Sequence, residues 1–369
     1  MKFILPFTLA AGALAATAQT VPTTLKDAFK NDFLIGAALN QSQFEGESPR
    51  ETQIVTRQFN TISPENVLKW ESVHPSPDQF DFADADRYVA FGEKNHMFII
   101  GHNLIWHSQT PRWVFRDSEG NQISRDGLIA RMRKHILTVA GRYKGRIGGW
   151  DVVNEALNED GTLRDSAWRR IIGDDYLALA YQFAHEADPQ AQLYYNDYSL
   201  ENLPKQRGAV ALIEKLRAEG VKIDGIGLQE HDKMNWPSTG QVDETISAFA
   251  GLGIKVMITE LDIDMLPAAT RSFGADVSMR AAADAKLNPY ANGLPDWLQQ
   301  KLAQRYADLF SVFVAHRGQI TRVTFWGVTD GDSWLNNWPV RGRTSYPLLF
   351  DRNSQPKAAF AAVIHTATE

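Results

Sequence analysis

Short apolar runs alternate with longer stretches of three-and-four apolar spacing along most of this chain. The runs at 33–39, 61–63, 97–102, 149–155, 193–196, 225–229, 256–263 and 322–328 are rich in Val, Ile, Leu and Phe. Runs of this length and kind predict buried strands, and strands covered on both faces are mostly parallel. Between them, 84–95, 127–143, 167–187 and 205–219 carry helical periodicity. A shorter helix is predicted over 243–251, with Gly251 and Gly253 as stop signals, a long one over 297–317, and a last one over 357–364. Eight strands alternating with helices predict an α/β protein, a single (β/α)8 TIM barrel with its active site at the C-terminal ends of the strands. A doubly wound open sheet is the competing arrangement, and periodicity does not separate the two. No repeat, low-complexity tract or interdomain linker divides the chain.

The run 256–263 is the most informative. It is apolar to Thr259, then presents Glu260, Leu261, Asp262 and Ile263. An unpaired carboxylate is costly to bury, so a Glu where a buried strand ends has a task other than packing. Gly149 to Ala156 has the same grammar and ends on Asn154 and Glu155. Only a closed or strongly wound fold brings these two Glu together, and two carboxyls at two strand ends suit acid/base and nucleophilic work on one bond. Other strand ends are polar and aromatic: Glu65, Asn66 and Lys69; His102 to Gln109; Asn196, Asp197 and Tyr198; Gln229 and His231; Trp326 and Trp334. In a barrel these converge on one mouth, which fits a ligand dense in hydroxyl groups with apolar ring faces.

Composition narrows the picture. A formal charge of −6 offers no basic footprint, which argues against nucleic acid or an anionic membrane as partners. Ten Trp, ten Tyr and 19 Phe supply flat faces for sugar rings, or simply a Trp-rich core. The absence of cysteine excludes disulfides and thiolate metal sites. Met1-Lys2, the apolar stretch to Ala16 and the Ala16-Thr17-Ala18 triplet predict a secretory signal over residues 1–18, with the barrel filling 19–369. Export to the periplasm or the medium is the expectation. Residues 264–296 form a long connection punctuated by Pro267, Pro289, Gly293 and Pro295. It reads either as a functional loop after Glu260 or as a rim-covering short helix near 276–286. No zinc-protease, calcium-loop, nucleophile-elbow or P-loop pattern is present.

The string from Trp150 to Ala156, together with Ile258 to Ile263, resembles glycoside hydrolase family ten, the endo-β-1,4-xylanases. Glu65-Asn66 with Lys69, the His102–Gln109 segment, Gly225 to Gln229 with His231, and Trp326-Gly327 with Asp332 to Trp334 extend the match over nearly the whole mature chain. The resemblance implies retaining double displacement on xylan or xylo-oligosaccharides; a monomer without cofactor or metal is the accompanying expectation. Glu155 is implied as the general acid/base, Glu260 as the nucleophile, and Asn154 as a partner of the sugar 2-hydroxyl. His231 and Asp262 are implied as a relay that orients Glu260. Glu65, Asn66, Lys69, His102, Gln109 and Gln229 are expected to bind hydroxyl groups. Trp106, Trp326 and Trp334 are expected as walls, with Tyr198 stacking beyond the cleavage point. Trp walls close to C5 exclude a glucose hydroxymethyl group by clash. Another retaining barrel glycosidase and a non-catalytic carbohydrate-binding barrel are the alternatives. Glu230 departs from the family pattern, and strand alternation points it away from Gln229 and His231 into the barrel wall.

Overall fold

A computed structural model describes residues 24–269 and 275–367. Nine strands run in chain order as β1 Leu34–Leu39, β2 Thr61–Pro64, β3 Phe98–Trp106, β4 Gly149–Asn154, β5 Gln192–Asp197, β6 Gly225–Leu228, β7 His231–Lys233, β8 Lys255–Asp264 and β9 Ile320–Phe325. Each pairs in parallel with its neighbour, in the order β6-β5-β4-β3-β2-β1-β9-β8, and the β6–β8 pairing closes the ring. β7 pairs with β8 two residues beyond β6, so β6 and β7 are one barrel strand interrupted at Gln229-Glu230. Eight barrel strands and a closed ring exclude the open sheet.

Helices Pro49–Gln58, Ala83–Lys94, Arg125–Arg142, Tyr176–Ala187, Leu203–Ala218, Thr239–Ala250, Asp296–Ala315 and Ala358–Thr366 lie between or after the strands. The strands are buried almost throughout, as expected of parallel strands sandwiched between a barrel lumen and a helical ring. Ile100, Tyr194 and Met257 form a small apolar plug of their own. Gly101 allows the Trp150 ring to pack, because a Cβ there would lie 2.2 Å from it.

The structure departs from expectation in four places. Pro49–Gln58 is a helix that the apolar pattern does not reveal, since it buries only Val55 and Gln58. The helix expected over 167–187 is two, Ala167–Ile172 and Tyr176–Ala187, separated at Gly173, whose φ of +104° no helix accommodates. β3 runs four residues past His102 to Trp106, carrying the polar stretch with it. No helix forms over 276–286: one short 3₁₀ turn, Ala285–Leu287, is its only regular element, and Ala275 and Val277 instead line the cleft. The signal-peptide expectation, residues 1–18, falls outside the described residues. Among the described residues no helix is long and apolar enough to cross a membrane.

Candidate active site

The C-terminal ends of the strands line an open cleft. Its lining includes Glu65, Asn66, Lys69, His102, Trp106, Gln109, Asn154, Glu155, Gln229, His231, Glu260, Trp326 and Trp334. Thirteen of the fifteen residues expected at the site therefore share one cavity. Asp262 stands behind His231, and Tyr198 is placed otherwise.

Glu260 projects from β8 and is 5% exposed. Its Oε1 accepts from Asn196 Nδ2 at 2.7 Å, and its Oε2 meets His231 Nε2 at 3.2 Å. The opposite ring nitrogen of His231 meets Asp262 Oδ1 at 3.0 Å, and Trp334 Nε1 donates to Asp262 Oδ2 at 2.7 Å. Glu260 and Asp262 thus face the same imidazole from one strand, as a two-residue repeat dictates. Burial pulls the His231 pKa down, but Asp262 and Glu260 outweigh it and raise it to about 10. A protonated imidazole donates from both nitrogens, so it ties the two carboxylates together. Burial alone would raise the Glu260 pKa. The His231 bond, the nearby His102 and the Asn196 amide hold it below the ordinary value.

Glu155 is the opposite case. It sits one residue past β4, with φ +55°. Trp106 Nε1 donates to its Oε2 at 2.8 Å, while Gln229 and Asn154 donate to its Oε1, each at 3.1 Å. Its backbone carbonyl accepts from Arg164 Nε at 3.1 Å. Burial, followed by the Asp197 charge, lifts its pKa to about 7 against the Gln229 and Trp106 bonds. Near neutrality one carboxyl of the pair is therefore anionic while the other still carries protons, a division of labour set by environment.

Asn154 bridges the two: its Oδ1 accepts from Asn196 Nδ2 at 2.9 Å. On the opposite wall Lys69 donates to Asn66 Oδ1 at 3.0 Å and Gln109 Oε1 at 2.8 Å, and lies 5.0 Å from the Trp106 ring centroid. His102 meets Asp151 Oδ2 at 2.9 Å and packs edge-on to Trp326. Trp334 stacks on Trp338 with centroids 4.5 Å apart, which stiffens that wall.

Tyr198 differs from the expectation of an open stacking face. It is 4% exposed, its ring is covered by the Lys205 ammonium at 3.6 Å, and its hydroxyl accepts from Arg164 at 2.9 Å. Asn196 and Arg164 were not expected as contacts of the two Glu. Asn196 sits at a polar strand end, a visible signal, but its partners come from β4 and β8. Glu230 does point away from the cleft, buried beside Glu201 and Asp232.

Asp262→Asn removes the charge that raises His231, so less positive charge remains to hold Glu260 ionised. The acidic limb of kcat/KM moves up by about one pH unit. A pH–rate profile checks this, and an unmoved acidic limb would show that Asp262 does not act through His231.

A closed parallel barrel with two unlike buried carboxyls and aromatic walls at one mouth fits the glycoside-hydrolase class of enzyme. The family model of glycosyl hydrolase family 10 matches residues 24–366. The chain is 45% identical over 351 residues to the endo-1,4-beta-xylanase A of Xylanibacter ruminicola, covering 95% of each. It superposes with a TM-score of 0.90 on a GH10 endoxylanase retrieved from sugarcane soil metagenome, at 45% identity over 92% of this chain and 99% of that one. A mutant chain solved in complex with xylotriose matches with a TM-score of 0.83 and 37% identity, over 93% of this chain and 99% of that one. The protein belongs to glycosyl hydrolase family 10.

Proposed function

We propose that the protein cleaves β-1,4-xylosidic bonds within xylan chains by retaining double displacement. Glu260 attacks the anomeric carbon while Glu155 protonates the departing glycosidic oxygen, leaving a glycosyl ester on Glu260. That esterification removes the Glu260 charge, so Glu155 becomes more acidic and serves as base for the water that cleaves the ester. The observation that carries this reading is the unlike setting of the two carboxyls: Glu260 is held anionic by His231 and Asn196, while Glu155 is raised to about 7. Asn154 and Gln229, in contact with Glu155, would meet sugar hydroxyls near the scissile bond. Lys69, Asn66, Gln109, Glu65 and His102 supply the polar wall of the same cleft, and Trp326 and Trp334 the flat one. Relatives named as xylanases, and the xylotriose in complex with another matching chain, support the choice of sugar.

The cleft also places part of the connection after β8. Ala275 and Val277 line it, Trp338 Nε1 donates to the Asp276 carbonyl at 3.0 Å, and Arg164 lies 4.0 Å from Asp276. Because Arg164 also holds Glu155, this segment reads as a border of the aglycone side. Residues 1–18 are proposed as a secretory leader and the remainder as one exported, monomeric catalytic barrel.

Reducing-sugar release from β-1,4-xylan and from cellulose tests the reading. Release from xylan alone is expected, because Trp walls close to C5 would clash with the hydroxymethyl group of glucose. Equal release from cellulose would remove the steric argument. No release from either by a folded protein would favour a carbohydrate-binding barrel instead.

A further inference from the structure

Behind Gln229 and His231 lies a group of buried carboxyls that the proposed hydrolysis leaves unused. Glu201 follows β5, Glu230 interrupts the sixth barrel strand, and Asp232 lies in β7; all three are buried. Glu230 lies close enough to both Glu201 and Asp232 for the three carboxyls to act on one another. Arg305, from the helix Asp296–Ala315, donates to Asp232 Oδ2 at 2.9 Å and to the Pro237 carbonyl. Lys205 approaches Glu201 from the helix Leu203–Ala218, but it is held by Asp197 at 2.9 Å and Glu159 at 3.3 Å. The charge of Asp262 on β8, itself held by His231 and Trp334, also acts on Asp232. Among the described residues, neither oxygen of Glu230 nor Oε1 of Glu201 receives a hydrogen bond from any amide, hydroxyl or cationic donor.

Three carboxylates in so dry a space cannot all be charged. One guanidinium offsets one charge, and each further buried carboxylate is opposed by desolvation and by its neighbours. The donor that the geometry leaves for the remaining oxygens is a carboxyl O–H. We propose that Glu201, Glu230 and Asp232 form a proton-sharing carboxyl ladder anchored on Arg305, and that Glu201 and Glu230 are positioning residues for the two reacting carboxyls. The middle rung explains how. Glu230 has φ +56°, a region that a non-glycine residue keeps only when its surroundings hold it there. Its carbonyl accepts the Asp262 N–H at 3.2 Å. Its neighbours are Gln229, which donates to Glu155, and His231, which holds Glu260. Displacing Glu230 therefore disturbs the partners of both Glu.

The titration of the ladder has a definite sign. Burial is the first cause in each case; it raises Glu201 and Glu230 well above the ordinary carboxylate range and Asp232 to about 8. The folded state then holds protons that the unfolded chain releases. The ladder's contribution to stability is whole below about pH 4 and declines as pH rises, through about pH 8 for Asp232 and beyond it for the two Glu.

Proton sharing is independent of the hydrolytic reading; the positioning role rests on it. Infrared spectroscopy of Glu155→Gln near neutral pH, where Glu155 itself contributes nothing, should show the C=O stretch of a protonated carboxyl. Adding Glu230→Gln should reduce that band. Absence of the band, or a band untouched by the second substitution, overturns the ladder. For the positioning role, the activity of Glu230→Gln relative to wild type on xylan should rise several-fold between about pH 6 and about pH 9.5, because the amide cannot ionise. The Glu155 titration is common to both proteins and cancels in the ratio. A constant ratio overturns the positioning role. If Glu230→Gln does not fold, Glu201→Gln supports the same two measurements. A wild type inactive on xylan would sink the hydrolytic reading and leave the infrared result to stand by itself.

Discussion

Glu260→Gln is expected to lower turnover on xylan by about five orders of magnitude, roughly 7 kcal/mol of transition-state stabilisation, with the fold intact. The amide matches the carboxylate in size, so the barrel end of β8 keeps its packing. Its carbonyl oxygen still accepts from Asn196. What disappears is the electron pair that forms the glycosyl ester and the negative charge opposite the developing oxocarbenium ion. The remaining NH₂ also faces His231 Nε2, donor against donor if the imidazole stays protonated. Reducing-sugar assays together with a thermal melt check both halves. A folded variant keeping more than about one part in a hundred of the rate would mean that another group attacks the sugar.

That prediction leans on residues that stand out in the sequence, and the reason is physical. Glu155 and Glu260 end runs whose other members are apolar, so their chemistry contrasts with their surroundings along the chain itself. The barrel is legible for the same reason: parallel strands are buried on both faces and leave uninterrupted apolar runs. What resists reading depends on partners far away in sequence. Pro49–Gln58 turns only Val55 and Gln58 inward, too few positions to write a helical period. Gly173 breaks a helix whose apolar spacing continues on either side of it. Asn196 looks like any polar strand end until β4 and β8 bring Asn154, Thr259 and Glu260 around it. Tyr198 reads as a sugar platform by type and position, and only the fold reveals that Lys205 covers its ring.

The electrostatic arrangement adds a layer that neither motif nor topology contains. Asp197 is fully buried, paired with Lys205 and bonded by the Tyr195 hydroxyl, whose oxygen in turn accepts the Ala156 N–H at 3.0 Å. It lies close enough to Glu155 to be the second cause of its raised pKa. The carboxylate behind Glu155 thus has its own cation, Lys205. The anion at Glu260 is fixed by a protonated imidazole. The difference between two chemically identical side chains is set by which buried ion stands behind each.

Because of that difference, Glu155→Ala should behave unlike Glu260→Gln. On xylan the departing oxygen is a sugar alkoxide that needs its proton, and the rate is expected to fall about 10³–10⁴-fold. An aryl xyloside with an acidic phenol leaves without help. Bond cleavage by Glu260 should then proceed within about tenfold of wild type, while hydrolysis of the ester, deprived of its base, becomes slow. The signature is a burst of phenol equal to the enzyme concentration, followed by a slow steady state. The pH profile changes with it. Wild-type activity on xylan should decline as pH rises through about 7, where Glu155 loses its proton, and the burst of the variant should lack that alkaline limb. Equal losses on both substrates with no burst would mean that Glu155 does not protonate the leaving group. A burst that keeps the alkaline limb would assign that titration to another member of the buried network, with Asp232 at about 8 the first to examine.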